Sequence, residues 1–110
     1  MQINYIEFQS SDIQATKQFY GAAFGWEFQD WGPDYISFND GTLDGGFHRV
    51  AEVHSGGPLV VLVTDNLEAA EATVRAAGGI ITKDIFSFPG GRRFHFQDPS
   101  GNILAIWSAS

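Results

Sequence analysis

The strongest constraint in this sequence is that one pattern of strand and helix signals occurs twice. Residues 3–9 alternate as a strand, with Ile3, Tyr5, Glu7 and Gln9 on one face and Asn4, Ile6 and Phe8 on the other. Asp12 then caps a helix in which Ile13, Thr16, Phe19, Tyr20, Ala23 and Phe24 recur at helical spacing, and Gly25 can end it in a left-handed turn. Phe19, Tyr20 and Phe24 are expected to pack this helix on a sheet. Short strands follow at 26–28, 35–38 and 47–49, with Asn39-Asp40-Gly41 and Asp44-Gly45-Gly46 as turn chemistry between them.

The pattern restarts at residues 58–64, a continuous apolar run that reads as a buried strand. Asp65 or Asn66 caps a second helix, whose Leu67, Ala70, Val74 and Ala77 line one face before Gly78-Gly79 ends it. Strands at 80–86, 92–97 and 103–107 complete the half, separated by Gly90-Gly91 and by the turn Asp98-Pro99-Ser100-Gly101-Asn102. Both halves therefore read β-α-β-β-β, with Asp12 and Asp65 about 53 positions apart. A four-stranded unit of this size covers one sheet face with its helix and leaves the other needing a partner. The predicted fold class is α+β: two such modules, about 1–55 and 56–110, pair into one domain with a curved mixed sheet that encloses a cleft.

Composition narrows the function classes. Thirteen acids against six bases leave a formal charge of −7, the wrong sign for a general binder of nucleic acid or of an anionic membrane. Most of that charge lies in the first half, where an acidic surface serves solubility and would also attract a cationic ligand. The absence of cysteine excludes disulfides, thiolate chemistry and Cys-ligated zinc. No run of apolar residues is long enough to span a membrane, and the start carries no basic region followed by an apolar stretch, so a cytoplasmic protein is expected. Phosphate-loop and nucleophile-elbow motifs are missing.

Three stretches together carry a family resemblance. Tyr5-Ile6-Glu7-Phe8-Gln9-Ser10-Ser11-Asp12, followed by Phe19-Tyr20 and Phe24-Gly25-Trp26, resembles the opening of the glyoxalase/bleomycin-resistance/extradiol-dioxygenase superfamily, the vicinal oxygen chelate fold. Leu67-Glu68-Ala69-Ala70 through Ala77-Gly78-Gly79 fits its second helix, and Phe96-Gln97-Asp98-Pro99-Ser100-Gly101-Asn102 is similar to its closing turn. The resemblance implies paired βαβββ modules in a homodimer. Metal-dependent members place His, Gln or Glu at set positions. In this chain those positions hold Tyr5, then Pro58 or Leu59, then Ala105, none of them an ordinary ligand for a divalent ion. The fourth falls in the strand 46–49 and is left open. Without them the family's Lewis-acid mechanism loses its metal.

Other residues could serve a site. Alternation puts Arg93, His95 and Gln97 on one face of their strand and Phe94 and Phe96 on the other, so the polar face should look into the cleft. Trp107 shares parity with Ala105 and Ile103 and should face it too. A rebuilt metal site would draw on Glu7, His48, His54, His95 and Gln97, although no His-x-His or His-x3-His spacing exists. Glu7, mid-strand between apolar neighbours, is either a structural carboxylate or a general base. Arg92 and Arg93 either hold an anionic group or form exposed ion pairs. Trp31, in the loop 30–34, is either a stacking platform or a cover for the core edge.

The sequence thus predicts a binder of a small organic molecule, sequestering a drug or metabolite through Tyr5, Glu7, Trp31, His48, Arg93, His95, Gln97 and Trp107, with neither metal nor cofactor. The alternative is a lyase or dioxygenase of the same superfamily that uses a non-standard metal site or Glu7 as base.

Overall fold

The structure is a computed structural model that describes residues 1–54, 57–99 and 101–110. Ser55 and Gly56 of the expected inter-module segment, and Ser100 of the closing turn, lie outside the described residues. The chain forms two compact units, Tyr5–Pro58, and Leu59–Ser110 together with Met1–Asn4.

The first unit holds β1 (Gln2–Ser10, its first residues counted with the other unit), α1 (Ile13–Phe24), β2 (Glu27–Asp30), β3 (Tyr35–Asn39) and β4 (Asp44–Arg49). The second holds β5 (Leu59–Val63), α2 (Leu67–Ala76), β6 (Ile80–Phe88), β7 (Gly91–Gln97) and β8 (Ile103–Ser108). Each is a mixed sheet with one helix. Strand order is β2-β3-β4-β1 in the first unit and β6-β7-β8-β5 in the second, so the order repeats as well as the pattern. In both, the first strand pairs in parallel with the last, and the other pairs are antiparallel.

Local chemistry sets the helix ends. The Asp12 carboxylate accepts the Ala15 N–H at 3.1 Å, and Gly25 closes α1 at φ 71°, where a side chain would be strained. In the second unit Asn66, not Asp65, is the cap: its side chain accepts the Ala69 N–H at 3.1 Å. Glu68 in the first turn and Arg75 in the last complement the helix dipole. Gly45 and Gly46, expected as turn residues, lie inside β4 instead.

The two cores lie between each helix and its sheet. Ile13, Ile36, Phe38 and Phe47 form the first, with Phe8, Tyr20, Trp26 and Phe28 packed against it. Leu67, Ala70, Phe94 and Ile106 form the second, with Leu62, Val74, Ile81, Ile85 and Phe96 around it. The helix face expected in α1 needs correction. Phe19 and Phe24 are 58% and 62% exposed. The stripe of α1 that loses exposure runs through Ile13, Thr16, Lys17, Tyr20 and Gly21, which leaves Phe19 off to one side and Phe24 in the last turn. Both rings touch Tyr20 rather than the core. Ala77 is likewise exposed beyond the end of α2.

These positions separate in energy. Phe94→Ala removes a fully buried ring and should cost about 3–5 kcal/mol. Phe19→Ala should cost about 1 kcal/mol or less, since it loses only ring-edge contacts at the surface. Urea unfolding of the two variants checks the difference.

Candidate functional site

Strand alternation sends the helix-side residues of each sheet into a core and gathers the others on the opposite face. In the first unit that opposite face carries Tyr5 and Glu7 from β1, Tyr35 and Ser37 from β3, and Gly46 and His48 from β4. Register brings them together: Glu7 pairs with Gly46 and Gly46 with Ser37, and in the next row His48 pairs with Tyr35. Glu7 is only 7% exposed, so its charge requires partners.

A directed chain of hydroxyls supplies them. The Tyr35 hydroxyl donates to Glu7 Oε2 at 3.0 Å. A phenol has one proton, so the 2.6 Å contact between the Tyr5 and Tyr35 hydroxyls must run from Tyr5 as donor to Tyr35 as acceptor. Burial first, and the Glu7 charge second, hold the Tyr35 hydroxyl protonated well above the ordinary tyrosine range. His48 Nδ1 lies 3.7 Å from Glu7 Oε1, close enough for charge attraction and too long for a hydrogen bond. That nitrogen is shielded from solvent and has no hydrogen-bond partner among the described residues.

Gly46 makes this arrangement possible. A Cβ there would collide with both tyrosine hydroxyls, so the absence of a side chain in the middle of β4 is what lets the two rings meet above it. Trp31 is half exposed, and its indole N–H donates to Ser37 Oγ at 2.8 Å, which fixes the ring at the margin of the same face.

The corresponding face of the second unit is cationic and aromatic. Arg93 and His95 lie on β7 opposite the core residues Phe94 and Phe96, as alternation implies, and Trp107 on β8 pairs with Arg93. The Arg93 guanidinium carbon lies 5.4 Å from the Phe86 ring centre and 5.6 Å from that of Phe88. Phe88 reaches Trp107 at 6.3 Å, and the Trp107 indole N–H donates to Asn4 Oδ1 at 3.1 Å. Lys83 Nζ lies 4.4 Å from the Phe86 ring centre. Gln97 stands at the far end of β7, paired with Ile80 and Ile103. Arg92 turns the other way and binds Glu68 of α2 at 2.7 Å, which holds the Glu68 carboxyl below its usual range.

Of the residues singled out from sequence, Tyr5, Glu7 and His48 come together and Trp31 joins their margin. Arg93, His95 and Trp107 share the second unit's face. His54 is exposed, and its backbone N–H donates to Gln9 Oε1 at 2.9 Å. Tyr35, Gly46, Lys83, Phe86 and Phe88 were not singled out. Parity with Ser37 marks Tyr35 in the sequence. No local signal marks Lys83 and Phe86, because two register shifts in β6 set their direction. Two shallow hollows of about 240 and 250 Å³ beside β2 and β3 are lined by residues such as Glu27, Asn39 and Asp40, and by none of the eight expected site residues.

At the positions the resemblance assigns to metal ligands, the side chains are not ordinary metal donors. Tyr5 spends its proton on Tyr35, Leu59 is apolar, and Ala105 is fully buried with no donor atom. Among the described residues no three of His, Asp and Glu stand together as a cation site.

Comparison with known proteins agrees with the family resemblance. The model of the Glyoxalase/Bleomycin resistance protein/Dioxygenase superfamily matches residues 2–106. CFP32, a protein of Mycobacterium bovis that carries the name glyoxylase, is 27% identical over 97% of this chain. The chain spans about half the length of that relative, 45% of it. The Mn(II)-bound glyoxalase of Novosphingobium aromaticivorans superposes with a TM-score of 0.72 at 24% identity, over 98% of this chain and 38% of its own. A member of the same superfamily from Vibrio splendidus superposes with a TM-score of 0.72 at 17% identity, over 97% of both chains. These two likenesses concern the fold.

The hydroxyl chain sets two expectations. Tyr35→Phe should destabilise the protein by about 1–3 kcal/mol, because a buried carboxylate loses its donor. Gly46→Ala should separate the Tyr5 and Tyr35 hydroxyls, and Tyr35→Phe in that background should then cost measurably less than in the parent. A double-mutant cycle in urea reads the coupling.

Proposed function

The chain belongs to the Glyoxalase/Bleomycin resistance protein/Dioxygenase superfamily, and from that premise we propose that it binds a small organic molecule without the family's usual metal set. The observation that carries this reading is the use made of Tyr5. At a position where the metal-dependent relatives hold a ligand, this chain has a phenol tied through Tyr35 to a buried Glu7. Aromatic surface is present on both faces opposite the helices, Trp31 and Tyr35 on one, Phe86, Phe88 and Trp107 on the other. Flat ligands gain affinity from such surfaces by stacking. Sequestering a drug or metabolite in a homodimer is the role that fits this chemistry within the family.

One observation favours a second reading, an enzyme using Glu7 as base. Its carboxylate is buried, accepts a hydrogen bond from the Tyr35 hydroxyl, and has His48 Nδ1 at 3.7 Å. A buried carboxylate beside a hydroxyl donor and an imidazole has the make-up of a general-base site. Glu7→Gln would then abolish turnover while leaving ligand affinity nearly intact, whereas a binder would show no turnover to lose.

Two measurements on the full chain test the main reading. Protein purified without chelators should retain well under one equivalent of Zn, Ni, Mn or Fe. One equivalent that disappears in Tyr5→Phe would overturn the proposal. The neutral fluorescent probe N-phenyl-1-naphthylamine should brighten on binding, and Trp107→Ala should weaken it by about tenfold, the loss of one ring contact worth about 1.4 kcal/mol, with the thermal transition retained. Unchanged affinity would remove Trp107 from the site.

A further inference from the structure

We infer that the face of β6, β7 and β8 opposite α2 is a subsite for a planar organic anion, an aromatic or conjugated ring carrying a carboxylate. This rests on the small-molecule reading above and names the class of its ligand. Its basis is a run of alternating cations and rings: Lys83, Phe86, Arg93, Phe88 and Trp107, each within 6.3 Å of the next. His95 packs on Phe86 at 5.8 Å between centres.

The backbone departs from regular pairing to build this run. Near the start of β6, Ile80 pairs with Gln97 and Ile81 with Phe96. A regular ladder continuing that register would set Thr82 against His95 and Asp84 against Arg93. Two shifts in β6 set Lys83 against His95 and Phe86 against Arg93 instead. An Asp facing Arg93 would have closed a cross-strand ion pair and consumed guanidinium donors within the sheet. The Arg93 guanidinium carbon lies over the Phe86 ring at 5.4 Å, a charge–ring attraction that itself needs no N–H donor. Arg93 has a further partner in the structure, and a fork of five donors can serve two acceptors. The exposed ammonium of Lys83 is in no ion pair among the described residues.

The charges decide the ligand's sign. A cation would meet Lys83 and Arg93 directly. A polyanion would meet the chain's net charge of −7 over its whole length. A single carboxylate on a ring escapes both penalties: its charge meets the two cations, and its ring extends the row of Phe86, Phe88 and Trp107. Arg93 is half-buried beside the Phe86 and Phe88 rings and so partly stripped of water, which strengthens its bond to an incoming carboxylate.

The test compares two probes of one shape, 2-naphthoate and its neutral amide 2-naphthamide, by displacement of N-phenyl-1-naphthylamine from the full chain. Naphthoate should bind at least about tenfold more tightly, the worth of one charge-assisted hydrogen bond. Added salt should weaken naphthoate and leave the amide unchanged. Arg93→Met keeps a chain to pack between the rings and should remove the preference. Lys83→Met, at an exposed position with no fold to lose, should reduce it severalfold. Amide shifts on adding naphthoate should centre on Phe86, Phe88 and Trp107. Equal binding of the two probes, or a naphthoate preference that survives both variants, overturns the anion assignment. If both probes bind equally and Trp107→Ala weakens both, the small-molecule reading stands and only the ligand class falls. Binding of neither up to millimolar concentration overturns the anion assignment and leaves the dye titration and metal analysis to judge the broader reading.

Discussion

The two-residue period of a β-strand governs this structure. Each sheet meets one helix, so every strand commits one set of side chains to a core and releases the other set for different work. Phe94 is buried under α2 with Phe96 packed beside it because Arg93 and His95 take the other side, and Ile36 and Phe38 are under α1 because Tyr35 and Ser37 take the other side. A one-residue slip in β3 or β7 would exchange core for candidate site at a stroke. The packing energy of the cores thereby holds the chemistry of the opposite faces in register.

That dependence explains what could be read in advance. The repeated βαβββ units, the Asp12 cap and the facing of Arg93, His95 and Trp107 away from the helix all follow from periodicity and turn chemistry, which are local. Whether Asp65 or Asn66 caps α2 was open, because both are good caps one position apart; the Ala69 N–H selects Asn66. Phe19 and Phe24 misled because apolar residues at helical spacing report a stripe but not how far the sheet beneath it extends. The Tyr5–Tyr35–Glu7 chain joins residues 30 and 28 positions apart and depends on strand pairing. Lys83 and Phe86 face as they do through bulges that their own sequence does not announce.

Buried charge is handled differently in the two units. In the first, one carboxylate is taken out of water and stabilised by a phenol whose own proton is locked in place by burial. Charge-assisted hydrogen bonds of that kind offset part of the desolvation cost. In the second, the cations keep partial exposure and lean on ring faces, which accept a cation's field without neutralising it. The first arrangement centres on one buried carboxylate. The second centres on cations set against rings, the chemistry that suits an anion carrying a ring.

The repeat permits a row-by-row comparison that sharpens this contrast. Aligning Glu7 with Val61 sets the row Glu7–Gly46–Ser37 against Val61–Ala105–His95, and the next row, Gln9–His48–Tyr35, against Val63–Trp107–Arg93. The middle strand has a small residue in both, Gly46, over which the Tyr5 and Tyr35 hydroxyls meet, and Ala105, which is fully buried. Around that small residue the occupants have changed character: carboxylate to valine, phenol to guanidinium, imidazole to indole. Where the first unit sets Trp31 beside Tyr35, bonded to its carbonyl by the backbone N–H at 2.9 Å, the second sets Phe86 beside Arg93. An aromatic ring thus neighbours the key polar group in each. The middle position is small in the first unit because two tyrosine hydroxyls meet over it, and the positions around it differ between the units because alternation sets them on the side away from the helix.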